Sequence, residues 1–147
     1  MKQYFTSQVT GIEYCPEDTI PILNIRQVLY YMQNGIRILD VYPSTDYKTQ
    51  KDILLFVVDR KETAEIYKKW RNHYVEDEPV LASPKPNDLI RVLNIQQVIF
   101  YMKAGVQLVT FEPSIDYKTQ ESILAFYFDR NESKAAYAKW KEIKANS

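Results

Sequence analysis

Residues 23–36 read LNIRQVLYYMQNGI, and residues 93–106 read LNIQQVIFYMKAGV. The likeness extends in both directions without a gap, so that residues 16–72 align with residues 86–142 and 27 of the 57 positions are identical. The chain therefore contains one sequence unit twice. Two copies are too few for a solenoid, which needs three or more repeats to bury its faces. A duplicated pair is instead expected to behave like a fused dimer, with the copies packed about a pseudo-two-fold axis.

The quoted stretch has the spacing of an amphipathic helix. In the first copy, apolar residues occupy positions 25, 28, 29 and 32, which fall on one face of a helix. Asn24 and Asn94 are candidate N-caps, and Gly35 and Gly105 are candidate left-handed C-caps. The sequence predicts a helix between each asparagine and the glycine that follows it.

A hairpin and a second helix are predicted after each glycine. In the first copy, one strand is expected over residues 36–42, ending at Pro43. The next strand, residues 53–58, is apolar on both faces and is therefore expected to be central and covered on both sides. Asp59 is expected to begin the second helix, since Glu62 follows at the spacing of a capping box. The second copy predicts the same elements at 106–112, 123–128 and from Asp129.

These elements predict an α+β fold. We expect two tandem helix–hairpin–helix repeats, each preceded by a short extended segment, that form an internal pseudo-two-fold dimer. The two hairpins should join into one central antiparallel sheet with the helices outside, because a unit of 57 residues is marginal alone. The predicted division is an N-terminal arm (1–15), repeat 1 (16–72), a linker (73–85), repeat 2 (86–142) and a tail (143–147).

The composition argues against several function classes. Lys plus Arg and Asp plus Glu each number 19, so no field of one sign indicates a polyanion or membrane partner. The three glycines cannot build a glycine-rich phosphate loop, and the single histidine, His73, lies in the predicted linker. Cys15 has no partner for an internal disulfide and is expected to be a small buried or half-buried residue. We therefore expect a soluble, cytoplasmic, non-enzymatic protein without cofactor or metal.

The hairpin turns are the first candidate functional feature. Residues 43–50 match residues 113–120 at seven of eight positions, whereas the adjoining strands 36–42 and 106–112 share no identity. Surface turns ordinarily vary, and an Asx-turn at Asp46 explains only part of this agreement. The ammonium, hydroxyl and amide groups of these turns suit phosphate and sugar contacts. The candidate residues are Tyr47, Lys48, Thr49, Gln50, Lys51, Tyr117, Lys118, Thr119 and Gln120.

The polar side of each first helix is the second candidate feature. Gln27 and Gln97 are the one matched polar pair there, and glutamine can pair with adenine in the major groove. A solvated helix face is the plainer interpretation of any single residue. The repeats carry net charges of only +1 (nine cationic, eight anionic) and 0 (seven of each), so any basic surface must be local. The candidate residues in and just after these helices are Arg26, Gln27, Tyr30, Arg37, Gln96, Gln97 and Lys103.

The order of helix, glycine stop, two-stranded wing and second helix resembles the winged-helix units of excisionases and MerR-type regulators. Residues 30–36, YYMQNGI, and residues 56–60, FVVDR, carry this resemblance. With the duplication, the chain is similar to the TraN-type proteins of Gram-positive conjugative type IV secretion systems. That resemblance implies a cytosolic double-stranded-DNA-binding protein with a helix-turn-helix at each end, encoded on a mobile element such as a plasmid.

Three hypotheses follow. The first is a double-stranded-DNA-binding accessory or regulatory protein of conjugation, monomeric with an internal pseudo-dimer, whose partners include DNA and other conjugation or mobile-element proteins. The second is a protein-interaction module, such as a phage or mobile-element adaptor or inhibitor, that binds no nucleic acid. The zero net charge favours this second hypothesis. The third is a small-ligand protein with two equivalent pockets at the interface between the repeats.

Overall fold

The computed structural model describes residues 2–72 and 85–146. The fold is α+β, with helices and antiparallel sheets as expected. The predicted linker, including His73, lies outside the described residues except for Lys85. The strands are β1 Phe5–Thr6, β2 Glu13–Tyr14, β3 Thr19–Ile22, β4 Asp40–Thr45, β5 Asp52–Asp59, β6 Leu89–Val92, β7 Leu108–Ile115 and β8 Ser122–Asp129. The helices are α1 Ile25–Gln33, α2 Ala64–Asn72, α3 Ile95–Lys103 and α4 Lys134–Ala145.

The caps of α1 and α3 are confirmed. The side chain of Asn24 accepts hydrogen bonds from the amides of residues 26 and 27, at 3.0 and 3.3 Å, and Asn94 does the same at the start of α3. Gly35 has a φ of +82°, a conformation that favours glycine because it has no Cβ. Its amide donates to the Met32 carbonyl and the next amide donates to the Tyr31 carbonyl, which completes a Schellman motif.

The expectation of one central sheet is wrong. The two repeats form separate three-stranded antiparallel sheets, in the orders β3-β5-β4 and β6-β8-β7, and β1 pairs only with β2. The strands β3 and β6, expected only as extended segments, pair with β5 and β8 and thereby fill the edge that the other repeat was expected to occupy. Pro21 in β3 and Pro43 in β4 also remove amide donors from the outer strands of the first sheet.

Two predicted boundaries are displaced. The first hairpin strand runs from Asp40 to Thr45 and continues through Pro43, which was expected to end it. Proline is tolerated there because β4 is an edge strand.

The prediction that β5 and β8 are central and covered on both faces is confirmed, since Phe56, Val57, Phe126 and Tyr127 are all buried.

The second helices begin later than predicted. The Asp59 carboxylate accepts hydrogen bonds from the amides of Lys61 and Glu62, which form a turn, and α2 starts only at Ala64. The Glu62 carboxylate does not complete a capping box. It accepts a hydrogen bond from the Arg37 amide at 3.1 Å, and Glu132 holds the Gln107 amide in the same way. This glutamate therefore fixes the chain after each glycine stop.

The repeats share one hydrophobic core. Helix α1 packs on β8 and β7 of the second repeat, and α3 packs on β5 and β4 of the first. Buried residues from both repeats, including Val28, Phe56, Val98 and Phe126, belong to a single cluster. Trp70 and Trp140 are partly buried and pack against this cluster from α2 and α4.

The N-terminal arm is attached to the first repeat by polar contacts. The hydroxyls of Ser7 and Tyr14 each donate to the Asp40 carboxylate at 2.6 Å. Burial, together with the Asp40 hydrogen bond, raises the pKa of the Tyr14 hydroxyl above its ordinary value. The side-chain amide of Gln107 donates to the Gln8 carbonyl, which links the arm to the second repeat. Cys15 is buried as expected.

Candidate nucleic-acid interface

The two hairpin turns have the same hydrogen-bonded geometry. In the first turn, Asp46 accepts a hydrogen bond from the Lys48 amide at 2.8 Å, and its carbonyl accepts from the Gln50 amide at the same distance. The Thr49 hydroxyl accepts from the Lys51 amide, and the Gln50 side chain donates to the Tyr47 carbonyl at 2.9 Å. Asp116, Thr119 and Gln120 make the corresponding contacts in the second turn.

This geometry explains more of the sequence agreement than an Asx-turn alone. Gln50 has a φ of +60° and Gln120 a φ of +62°, and their side chains close the turns in which they lie. Thr49, Gln50, Thr119 and Gln120 thus help to close the turns in which they lie. The hydrogen bonds of each turn do not use the side chains of its tyrosine and lysine.

The tip tyrosines and lysines project into solvent. The Tyr47 side chain is 94% exposed and Tyr117 is 67% exposed. Lys48 and Lys118 are exposed, and neither ammonium has a hydrogen-bond or ion-pair partner in residues 2–72 and 85–146. Lys51 adds a third exposed cation beside the first tip, where the second repeat has Glu121. The first tip is therefore the more cationic of the two, as its sequence predicts.

An arginine that sequence reasoning did not select lies beside the second tip. The guanidinium carbon of Arg91 is 4.8 Å from the centre of the Tyr117 ring, and Arg91 donates to the Ser114 hydroxyl and the Ile115 carbonyl. The corresponding residue of the first repeat is Pro21. A charged residue in one copy opposite a proline in the other is the signal that could have identified it. Pro21 cannot make these contacts at the first tip, because it has no charged side chain.

The matched glutamines of the first helices form hydrogen bonds with tyrosines of their own helices. The Gln27 side-chain amide donates to the Tyr31 hydroxyl at 2.9 Å, and Gln97 donates to Tyr101 at the same distance. Both tyrosines are fully buried, and this burial raises the pKa of each hydroxyl. A buried hydroxyl needs a hydrogen-bond partner, which gives a structural reason for the matched glutamine. The agreement of the two glutamines therefore has an explanation that needs no adenine contact.

Most of the other candidate residues in and near the helices also contact residues of the same chain. Tyr30 packs on Trp70, with ring centres 5.8 Å apart. Gln96 donates to the Asp52 carbonyl, and the Lys103 ammonium lies 2.6 Å from the Asp52 carboxylate. Arg37 forms an ion pair with Glu62 at 3.3 Å. Arg26 is exposed, and its amide is used by the Asn24 cap. The α3 candidates Gln96 and Lys103 are thus brought to the first hairpin, beside Lys51, whereas Tyr30 and Arg37 contact α2 and the turn before it.

A helix-turn-helix needs a second helix joined to the first helix of each repeat by a short turn. The segment before each first helix is where such a helix was to be sought. In the first repeat α1 is preceded by a 3-10 turn, Pro16–Asp18, and by β3. In the second repeat, residues 85–94 contain β6 and no helix. A helix-turn-helix formed by consecutive helices within a repeat is therefore absent from the part of the chain that the structure describes.

The sequence matches no protein-family model, no curated protein and no solved structure. In residues 2–72 and 85–146, every helix is too short or too polar to cross a bilayer.

Proposed function

We propose that this chain is a binding protein, not an enzyme, and that it contacts the sugar–phosphate backbone of double-stranded DNA through its two hairpin tips. The observation that carries the proposal is the pair of exposed tip dipeptides, Tyr47-Lys48 and Tyr117-Lys118. They are identical in the two repeats, yet the turn geometry does not require their side chains. Lysine contacts phosphate, and tyrosine hydroxyls are common donors to phosphate and sugar oxygens.

The second element of the proposal is that the repeats form an internal pseudo-two-fold dimer. Each first helix packs on the other repeat's sheet, α1 on β8 and α3 on β5, as in a symmetric interface. A pseudo-symmetric protein would present its two tips to the two-fold-related backbones of a duplex. We propose that a single chain is therefore the DNA-binding unit.

The proposed mode of binding has little sequence specificity. The candidate groove-reading residues Gln27, Gln97 and Lys103 are held in contacts within the protein. Contacts to phosphate position a protein on the duplex without reading its bases. With net charge zero and few unpaired cations at the tips, affinity should be modest and strongly dependent on salt.

The biological setting of the proposal rests on the resemblance alone. The likeness to winged-helix units and TraN-type proteins favours a cytoplasmic accessory or regulatory protein of conjugative transfer. Residues 30–36 and 56–60 carry it. Other conjugation proteins are proposed partners on the same ground.

The test is a mobility-shift series with the double variant Lys48→Ala/Lys118→Ala over a range of salt concentrations. If each lysine contacts one phosphate, the plot of log affinity against log salt should become shallower, with the magnitude of its slope reduced by about 1.8. The matched control is Lys69→Ala/Lys139→Ala, which removes the same charge from exposed, equivalent positions of α2 and α4. An equal effect of both double variants, or no effect of the tip variant, would contradict tip contact.

A second candidate function is a protein-interaction module without nucleic-acid binding. The observation that favours it is the set of exposed aromatic side chains, including Tyr4, Phe5, Tyr42, Tyr47 and Tyr117, in a protein of zero net charge. Tyrosine and phenylalanine are enriched in protein interfaces, whereas DNA-binding domains are generally basic. A partner that is retained by the immobilised chain after nuclease treatment and lost in Tyr47→Ala/Tyr117→Ala would favour this function.

A further inference from the structure

A groove in the second repeat is lined by none of the proposed tip contacts. It runs between the edge strand β6, helix α3 and the start of α4, and its volume is about 510 Å³. This volume is within the range of small-molecule sites. Ile90, Val92 and the half-exposed ring of Tyr137 form apolar parts of its wall.

One wall of the groove contains a buried tyrosine. Tyr101 lines it and is fully buried, and its hydroxyl oxygen accepts the hydrogen bond from Gln97. This hydrogen bond satisfies the hydroxyl, since buried polar groups ordinarily have at least one partner. The polar groups available to a ligand are therefore the charged side chains of the groove.

The residues that line the groove include cations and no acids. Arg91, Arg130 and Lys134 are among its lining residues, and Arg91 donates its hydrogen bonds to Ser114 and Ile115. The Arg130 guanidinium uses its Nε and one terminal nitrogen on the Asn87 carbonyl, so its other terminal nitrogen remains available for a ligand. The Lys134 ammonium has no partner in the described ranges. In a chain with equal numbers of acidic and basic residues, this local excess of positive charge favours an anionic ligand.

The first repeat has a corresponding groove with a different lining. It lies beside β3 and is lined by Gln27 and Tyr67, the counterparts of Gln97 and Tyr137, but by no charged residue. The position of Lys134 is occupied by Ala64. The two grooves therefore share their frame, whereas the cationic lining belongs to the second repeat only.

We propose that the groove of the second repeat binds a small organic anion, in which a phosphate or carboxylate is attached to an apolar or aromatic body. The anionic group lies between Lys134 and Arg130. The apolar body packs on Ile90, Val92 and the Tyr137 ring. The site takes one ligand per chain and does not depend on DNA binding at the tips.

The test is a titration of the ¹⁵N-labelled full chain with phenyl phosphate and, separately, with benzoate. We expect saturable amide shifts at Gln97, Lys134 and Tyr137, with a Kd of about 1 mM or below for at least one of the two anions. The amides of Gln27, Ala64 and Tyr67 in the other groove should not shift. The better probe shows whether phosphate or carboxylate is preferred.

Three controls make the test decisive. Phenol, which carries the ring without the charged group, should not bind. Lys134→Ala should weaken binding about tenfold, the loss expected for one charge-assisted hydrogen bond. Lys139→Ala removes the same charge from an exposed position of α4 outside the groove and should have no effect. Equal shifts in both grooves, equal binding of phenol, or full affinity in Lys134→Ala would each overturn the proposal.

Discussion

The rings of Phe56 and Phe126 meet between the two repeats, with their centres 6.5 Å apart. These phenylalanines are the same position of the duplicated unit, 70 residues apart in the sequence. A contact between equivalent residues is expected where a two-fold axis passes through an interface. Phe111 packs on both rings from the second repeat, at 6.1 Å from each. The contact thus lies inside the shared core and not at its surface.

The first prediction concerns the independence of the repeats. Expressed as separate chains, residues 1–78 and 79–147 should each lack cooperative unfolding and dispersed amide signals. Each fragment would lose the helix that covers its sheet, because α1 packs on β8 and α3 on β5. A unit of this size also buries only about 60% of its chain surface when alone. Mixing the fragments should restore the amide spectrum of the intact chain.

The measurement is an amide correlation spectrum of each fragment and of their equimolar mixture. A dispersed, cooperatively unfolding spectrum for either fragment alone would show that a repeat has a sufficient core of its own. That result would contradict the view that the repeats fold as one body.

The second prediction concerns the matched glutamines. Gln97→Leu should lower the free energy of unfolding by about 1–3 kcal/mol, because it leaves the buried Tyr101 hydroxyl without a partner. The double variant Gln97→Leu/Tyr101→Phe should recover much of this loss, since both polar groups are then removed together. Urea unfolding measures both effects.

The same glutamines distinguish a structural role from base reading. Gln27→Leu should be destabilising in the same manner but should leave DNA affinity unchanged under conditions in which the variant is folded. A loss of affinity for adenine-containing sites, with unaltered stability, would instead restore the interpretation of Gln27 as a groove-reading residue.

The third prediction is a loss of stability in alkaline solution. Burial and the Asp40 hydrogen bond raise the pKa of Tyr14 in the folded protein above its ordinary value of 10.0. The stabilisation is fully present below that value and is lost as the pH rises further, because the unfolded chain then releases the proton more readily. The free energy of unfolding should therefore fall above about pH 10.

The Tyr14 contribution can be separated by substitution. Tyr14→Phe should make the alkaline decline less steep, whereas Tyr47→Phe, at a fully exposed tip, should leave it unchanged. Urea unfolding between about pH 8 and pH 11 measures these slopes. An identical slope for wild type and Tyr14→Phe would contradict the link between Tyr14 and alkaline stability.

Local features were predictable from the residues that form them. The asparagine caps, the glycine stops and the central strands are as expected, because each depends on contacts within a few residues or on a continuous apolar run. The later start of α2 was missed because Glu62 bonds to the Arg37 amide, 25 residues away. The course of β4 through Pro43 was missed because an edge position cannot be recognised before the sheet order is known.

The sequence likewise predicted only part of the candidate site. The turns were correctly located, but the roles of Thr49 and Gln50 became clear only from the hydrogen bonds that close the turn. Lys103 was selected as a DNA contact because its sequence neighbours give no sign of Asp52, which approaches from the other repeat. Arg91 was overlooked because its interaction with Tyr117 depends on the pairing of β6, β8 and β7.

The sequence alone determines the duplication, the limits of the first helices and the apolar character of the central strands. Capping and periodicity act over only a turn or two of the chain. Which sheet each helix covers, and which polar groups remain for a partner, follows from long-range packing. Side chains far apart in the chain compete there for the same buried space and the same hydrogen-bond donors. That competition is resolved only when both repeats have come together.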